Sequence, residues 1–216
     1  MSKLQLDYFI DPENKIYQHP EHFHFNTDSK LLANFMKIKP NERVLDIGCN
    51  NGALLSICDR EEVSELVGVE ILKEPCEVAQ KNASSFKHPV QIIHSSIMDF
   101  HDQPFDVIIS NPPFFPVQST HEQTKIDLRQ LGRIEINLTL QQLIQCVSRL
   151  LKSNGRFYFV HRPNRLNEIA QTLYQYHMQM KTIQFAYDQN IVKSVLIEAI
   201  KESNCDCTVL QPIFIR

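Results

Sequence analysis

Two stretches of this chain carry residue types that can do chemistry. The first is Ser110-Asn111-Pro112-Pro113-Phe114-Phe115. Consecutive prolines fix the backbone and remove two N–H donors, which leaves carbonyl groups without competing local partners. The side-chain oxygen of Asn111 and the carbonyl that follows it can then accept both hydrogens of an exocyclic NH2 group. An aryl amine is a poor nucleophile while its lone pair is delocalised into the ring. Two fixed acceptors favour a pyramidal nitrogen and stabilise the positive charge that develops as it attacks an electrophile. Phe114 offers a flat face on which an extruded base can stack, a contact of about 1–3 kcal/mol per base. The plainer alternative is a Pro-Pro turn flanked by two core phenylalanines.

The second stretch is Asp46-x-Gly48-x-Asn50-x-Gly52, followed at the end of the next apolar run by Glu70. Glycines in such a turn let the backbone approach a ligand, and an acidic residue about 20 positions later suits ribose hydroxyls. Asn50 replaces the middle glycine of a dinucleotide loop while still tolerating a left-handed backbone. Asp46 would repel a pyrophosphate but suits a ligand that carries an amine and a sulfonium. An ordinary glycine-containing turn is the alternative.

The elements that must hold these stretches follow from the hydrophobic pattern. Strands are expected at Arg43 to Ile47, Leu66 to Glu70, Val90 to His94, Phe105 to Ile109 and Arg156 to Val160. Two closing strands, Lys181 to Tyr187 and Ser194 to Ile200, are expected to pair as a hairpin. Helical spacing separates them: a short helix behind Asp28 as N-cap, then Ala53 to Cys58, Glu74 to Ala83, Thr139 to Leu151 stopped by Gly155, and Leu166 to Tyr176. Strands alternating with helices predict an α/β fold, a mostly parallel sheet of seven strands with helices on both faces and an antiparallel C-terminal hairpin. Both chemical stretches then fall at the carboxyl edge of the sheet. Residues 1–39 are expected to form an N-terminal segment and lid, and residues 40–216 the main domain of a single globular unit. Pro116 to Glu135 has weak periodicity and is expected to be a long loop.

With 216 residues, 43% of them hydrophobic, the chain can bury one full core. It has no run of about 18 apolar residues and no apolar leader, so a cytoplasmic protein without membrane contact is expected. Six scattered cysteines make neither a zinc ribbon nor a disulfide framework. His22-x-His24 lacks a partner to complete a metal shell, and no metal is expected. A net charge of -3 excludes a protein that coats nucleic acid by charge alone. Arg149, Lys152, Arg156, Arg162 and Arg165 nevertheless cluster with His161 and form either a solvated face or a local phosphate-binding rim.

In order and spacing, Asp46-Ile47-Gly48-Cys49-Asn50-Asn51-Gly52, Glu70 and Asn111-Pro112-Pro113-Phe114 resemble the class I methyltransferases with an Asn-Pro-Pro-aromatic motif. Phe25-Asn26-Thr27-Asp28-Ser29, Arg133-Ile134-Glu135 and Val195 to Lys201 are similar to the bacterial tRNA(Val) adenine-37 N6-methyltransferase family, over nearly the whole chain. The resemblance implies a Rossmann-like fold and S-adenosylmethionine as methyl donor, leaving S-adenosylhomocysteine. It implies that Asp46, Gly48, Asn50 and Gly52 line the donor pocket, that Glu70 holds the ribose, and that Asp28, Ile71, Ser96, Ile97 and Asn111 border it. Ser96 stands where the family usually has Asp. Asn111, Pro112, Pro113 and Phe114 would handle the target base. Apart from the resemblance, Arg133, His161, Arg162 and Arg165 are expected to meet RNA phosphates, because the His161 to Arg165 turn follows the fifth strand and opens on the same sheet edge as Asn111; a solvated helix start is the alternative. The implied substrate is a tRNA anticodon loop, where the base is already unpaired, and no protein partner is evident. Guanine N2 methylation of ribosomal RNA, DNA adenine methylation, protein glutamine methylation and a non-catalytic RNA-binding module are the competing readings.

Overall fold

The computed structural model describes residues 4–22, 24–113 and 138–215. Phe114, Arg133 and the expected loop from Pro116 to Glu135 lie outside the described residues.

All seven expected strands form, and they run in one mixed sheet. They are β3 (Arg43–Ile47), β4 (Glu65–Glu70), β5 (Val90–His94), β6 (Phe105–Ser110), β7 (Leu151–His161), β8 (Met178–Asp188) and β9 (Ile191–Lys201). Two short strands, β10 (Thr208–Val209) and β11 (Ile213–Ile215), both pair in parallel with β8 and bring the sheet to nine. Along the sheet the order is β10-β8-β9-β7-β6-β3-β4-β5. From β7 to β5 neighbours are parallel, whereas β9 runs antiparallel to both β7 and β8. The order reverses between β3 and β6: the chain goes outward from β3 to β4 and β5, then returns to the other side of β3. That reversal opens a crevice at the strands' carboxyl ends, the place where open α/β sheets bind ligands.

The central strands are apolar on both faces, as buried parallel strands must be. Leu45, Ile47 and Ile108 join a core beneath α4 (Leu140–Leu150) and α5 (Leu166–Gln175). Val44, Val107 and Ile109 point the other way, into a core shared with α1 (Thr27–Phe35), α2 (Ala53–Cys58) and α3 (Lys73–Ala83). Asp46 has the parity of Val44 and so takes the α1 and α2 face.

Three local expectations need correction. Asn26, not Asp28, caps α1: its side chain accepts the Ser29 N–H while the Ser29 hydroxyl takes the Asn26 N–H in return, a capping box. Asp28 lies within the first turn and is buried. Gly155 does not stop α4, which ends at Leu150. The strand begins at once with Leu151, and Gly155 sits where the β6–β7 register shifts, with Asn154 at φ 60°. A Cβ there would lie 2.7 Å from Leu151 Cγ and 2.8 Å from the Lys152 carbonyl, so close packing in a bulge explains the glycine. The opening residues also form an antiparallel hairpin, β1 (Gln5–Tyr8) with β2 (Lys15–Gln18). Its alternation is too short and too exposed to read as strand from the sequence.

Candidate functional site

Paired in register across the reversal are Ile47 at the end of β3 and Ser110 at the end of β6. The Ser110 hydroxyl donates to the Ile47 carbonyl at 2.9 Å, stapling the two strand ends together. One cleft opens here. Its wall includes Asp46, Gly48, Asn50, Glu70, Ile71, Asn111, Pro112 and Pro113, so the two chemical stretches of the sequence share one space.

On the β3 side the loop turns by left-handed backbone at Gly48 (φ 71°), Asn50 (φ 48°) and Gly52 (φ 78°). A Cβ at Gly48 would meet nothing within 4 Å, because the residue faces the open cleft. Gly52 lies behind the loop against Ala79 and outside the cleft wall. The Glu70 carboxylate holds the loop in shape, accepting the Asn50 N–H at 2.8 Å and the Leu72 N–H at 2.9 Å. Asp46 is buried, and its Oδ1 has no hydrogen-bond partner among the described residues. Burial pushes its carboxyl well above the usual range, and the nearby Glu70 adds to the effect. Glu70 is itself raised by burial, against the opposing pull of the Leu72, Asn50 and Ile71 N–H groups.

A buried, unpartnered carboxylate beside a second one is costly unless a cation or donor joins it. S-adenosylmethionine fits this lining: Asp46 and Glu70 are carboxylates that could accept from an amine and from hydroxyls, and Ile71, Leu72 and Pro75 are apolar wall against which a purine could lie. Among the described residues, no group of three His, Cys, Asp or Glu side chains is arranged to hold a metal ion.

On the β6 side the Asn111 Nδ2 donates to Ser29 Oγ at 2.9 Å. That contact joins α1 to the strand end, and Ser29 itself lines the cleft. Alongside it Asp28 accepts from the Ser194 hydroxyl and, at 3.2 Å, from Arg162. Arg162 also donates to the Lys193 carbonyl at 2.9 Å. These bonds fasten the first turn of α1 to the ends of β7 and β9, so Asp28 supports the cleft without entering its wall.

Arg162 therefore clamps α1, and Arg165 pairs with Glu168 at 2.6 Å. His161 is buried, and its pKa is lowered to about 4, chiefly by burial and then by Arg165. These three residues sit at the same sheet edge as Asn111, with their ring or guanidinium groups engaged within the fold. Ser96 and Ile97 also lie outside the cleft wall. Ser96 Oγ accepts the Met98 N–H at 3.2 Å, and Ile97 is buried with its carbonyl bound by Arg149.

Ser29, Phe25, Leu72, Pro75 and Leu138, none of them expected at the site, line the cleft, and so does His22, which the sequence offered only as an incomplete metal ligand. His22 is buried and stacks on His19 with ring centroids 4.1 Å apart. Desolvation lowers its pKa, which favours the neutral ring. Ser29 had a signal in the sequence, since Asn26 and Ser29 are spaced as the two halves of a capping box, but its contact with Asn111 spans 82 positions. Asn82 left no such trace. Its amide donates to the Asn51 carbonyl at 2.8 Å and the Tyr17 carbonyl at 3.0 Å and accepts the Tyr17 N–H at 2.9 Å, tying the N-terminal hairpin to the cleft loop.

Residues 16–193 match the methyltransferase small domain family. The chain is 32% identical to a tRNA1(Val) (adenine(37)-N6)-methyltransferase of Aliivibrio salmonicida over 180 residues, 80% of this chain and 75% of that one. It is 31% identical to a protein of the same name from Dyadobacter fermentans over 135 residues, 61% of this chain and 55% of that one. Among solved structures, the M. jannaschii tRNA m1G37 methyltransferase superposes with a TM-score of 0.70 at 12% identity, covering 93% of this chain and 57% of that one.

Proposed function

The chain belongs to the methyltransferase small domain family, and from that premise we propose that it methylates the exocyclic N6 of adenine 37 in a tRNA anticodon loop. The observation that carries the reading is the shared cleft: the buried Asp46 carboxylate on β3, its Oδ1 without a hydrogen-bond partner among the described residues, and the Asn111-Pro112-Pro113 turn on β6 open into the same space. The relatives named for this reaction supply the base and the position.

Bound S-adenosylmethionine supplies an electrophilic methyl group on a sulfonium. Every other contribution belongs to the chain. Asp46 and Glu70 bind and orient from the β3 and β4 ends. Asn111 Oδ1 and the Pro112 carbonyl accept the two amine hydrogens and hold charge as it grows on nitrogen. A strong base is not needed, because the amine loses its proton only after it has become cationic. Losing one such preorganised partner typically costs about 10²–10³ in kcat.

The test is a methyl-transfer assay on tRNA and ribosomal RNA transcripts with labelled donor, read as product nucleosides by mass spectrometry. N6-methyladenosine in tRNA, lost in Asn111→Ala, is the expected result. N2-methylguanosine in ribosomal RNA would replace this reading with the guanine one. Equal inertness of wild type and Asn111→Ala on tRNA, ribosomal RNA and DNA would favour a binding module.

A further inference from the structure

We propose that Ser29 is a positioning residue that fixes which end of the Asn111 amide serves as acceptor in the cleft; the idea deepens the reading above and rests on it. An asparagine amide can present either oxygen or NH2 after a half-turn, and only the oxygen can accept from an amine. The cleft therefore needs something that distinguishes the two ends. Ser29 does so through the helix cap. Its hydroxyl is 3.4 Å from Asn26 Oδ1, to which it donates, and its oxygen takes the Asn26 N–H. With the hydroxyl proton directed at Asn26, the remaining lone pair of Oγ is open only to a donor, and the Asn111 Nδ2 fills it at 2.9 Å. Turning the amide over would set Asn111 Oδ1 against Ser29 Oγ and break the cap or leave two acceptors in contact.

The support behind Ser29 is rigid. Asp28, the preceding residue, is buried and held by Ser194 and Arg162 from the ends of β9 and β7. On the Asn111 side, Pro112 follows directly and Ser110 is stapled to Ile47. Both partners of the Ser29–Asn111 bond are therefore fixed by independent contacts, which is what orienting an amide to within a rotamer requires. An acceptor-only presentation also bears on specificity: it favours bases that offer an NH2 at the reacting position and disfavours those that offer a carbonyl there.

The experiment uses full-length wild type, Ser29→Ala and Ser29→Thr, where threonine keeps the hydroxyl. Two readouts are combined. The first is the 15N-resolved side-chain amide signal of Asn111, assigned by its disappearance in Asn111→Ala, which reports the hydrogen bond whether or not the acceptor substrate is known. The second is kcat and KM on tRNA together with the affinity for S-adenosylhomocysteine. The expected result is that Ser29→Ala shifts the bonded Asn111 amide proton and speeds its exchange, lowers kcat about tenfold or more and leaves S-adenosylhomocysteine affinity within about twofold. Ser29→Thr restores both. An unchanged Asn111 signal in Ser29→Ala, or a kcat equal to wild type, overturns the proposal. So does a loss of kcat matched by an equal loss of S-adenosylhomocysteine affinity, which would make Ser29 a donor-binding or merely structural residue. Wild type inactive on tRNA would instead remove the functional reading, and the amide signal would still decide the role of Ser29.

Discussion

At the scale of single residues the site is a contest between stability and binding, and Asp46 shows it most clearly. The carboxyl is buried, with Oδ1 lacking a hydrogen-bond partner among the described residues, so in the ligand-free protein its ionisation opposes folding. The sign follows from the direction of its shift. A carboxyl whose folded pKa is raised binds protons more readily in the native state, so its ionised form is a penalty that appears as pH rises above the ordinary carboxylate range and is complete above the raised folded value. Asp46→Asn is neutral throughout. It is expected to melt at a higher temperature than wild type at pH 8, with the difference shrinking as pH falls, while S-adenosylhomocysteine affinity drops about tenfold or more. Thermal melts across pH and calorimetric titration check both halves; an Asp46→Asn protein less stable at every pH would show that the carboxylate has a partner in solution. Residues such as Asp46, Glu70 and Asn111 were legible in the sequence because each lies at the end of a strong apolar run, where the chain must emerge at the sheet edge. Asn82 was not, and Ser29 only as half of a helix cap, because their roles at the cleft lie in contacts between segments distant in the chain.

At the scale of elements, the cleft depends on how closely the loop after β3 can lie on its neighbours. Gly68 in the middle of β4 allows that approach: a Cβ there would come within 2.8 Å of Cys49 Sγ and Ile92 Cδ1 and 2.9 Å of Leu55 Cδ1. Gly68→Ala is expected to cost about 1–3 kcal/mol by overpacking, and, because Cys49 belongs to the cleft loop, to weaken S-adenosylhomocysteine binding as well. Denaturant melts and titrations measure the two effects. Asn82→Ala should act from the other side, releasing the β1–β2 hairpin from the loop at a cost of about 1–3 kcal/mol for the backbone groups left unpaired. Hydrogen exchange should then quicken in residues 15–18 and 49–52 before it changes in the central strands; uniform acceleration would mean that the hairpin is not an independent layer. The central strands and the long helices were readable from period and burial. The cap of α1 was misread by two positions because Asn26 and Asp28 are both good capping residues, and only the capping box with Ser29 decides between them. Gly155 was misread because a glycine after a helix looks the same whether it ends the helix or fills a bulge in the strand that follows.

Across the whole molecule, the mild negative charge and the internal pairing of Arg162 and Arg165 set how RNA can be met. Cations expected to form a phosphate rim are partly committed to holding the fold, Arg162 to Asp28 and Arg165 to Glu168. Arg162→Ala is accordingly expected to lower the melting temperature and kcat together while leaving the salt dependence of tRNA binding as in wild type. A reduction of about one in the slope of log affinity against log salt would instead put Arg162 on a phosphate. The overall architecture was legible because the alternation of strands and helices admits few topologies, and the reversal between β3 and β6 follows from it. The cleft at this reversal is proposed to methylate one unpaired adenine. The most direct test is oligonucleotide mass spectrometry of tRNA from cells lacking the protein, after incubation with purified wild type and with Asn111→Ala. One added methyl group on the adenine N6 at position 37, absent with Asn111→Ala, is the predicted result; methylation at another base or position, or its persistence in Asn111→Ala, would contradict the account.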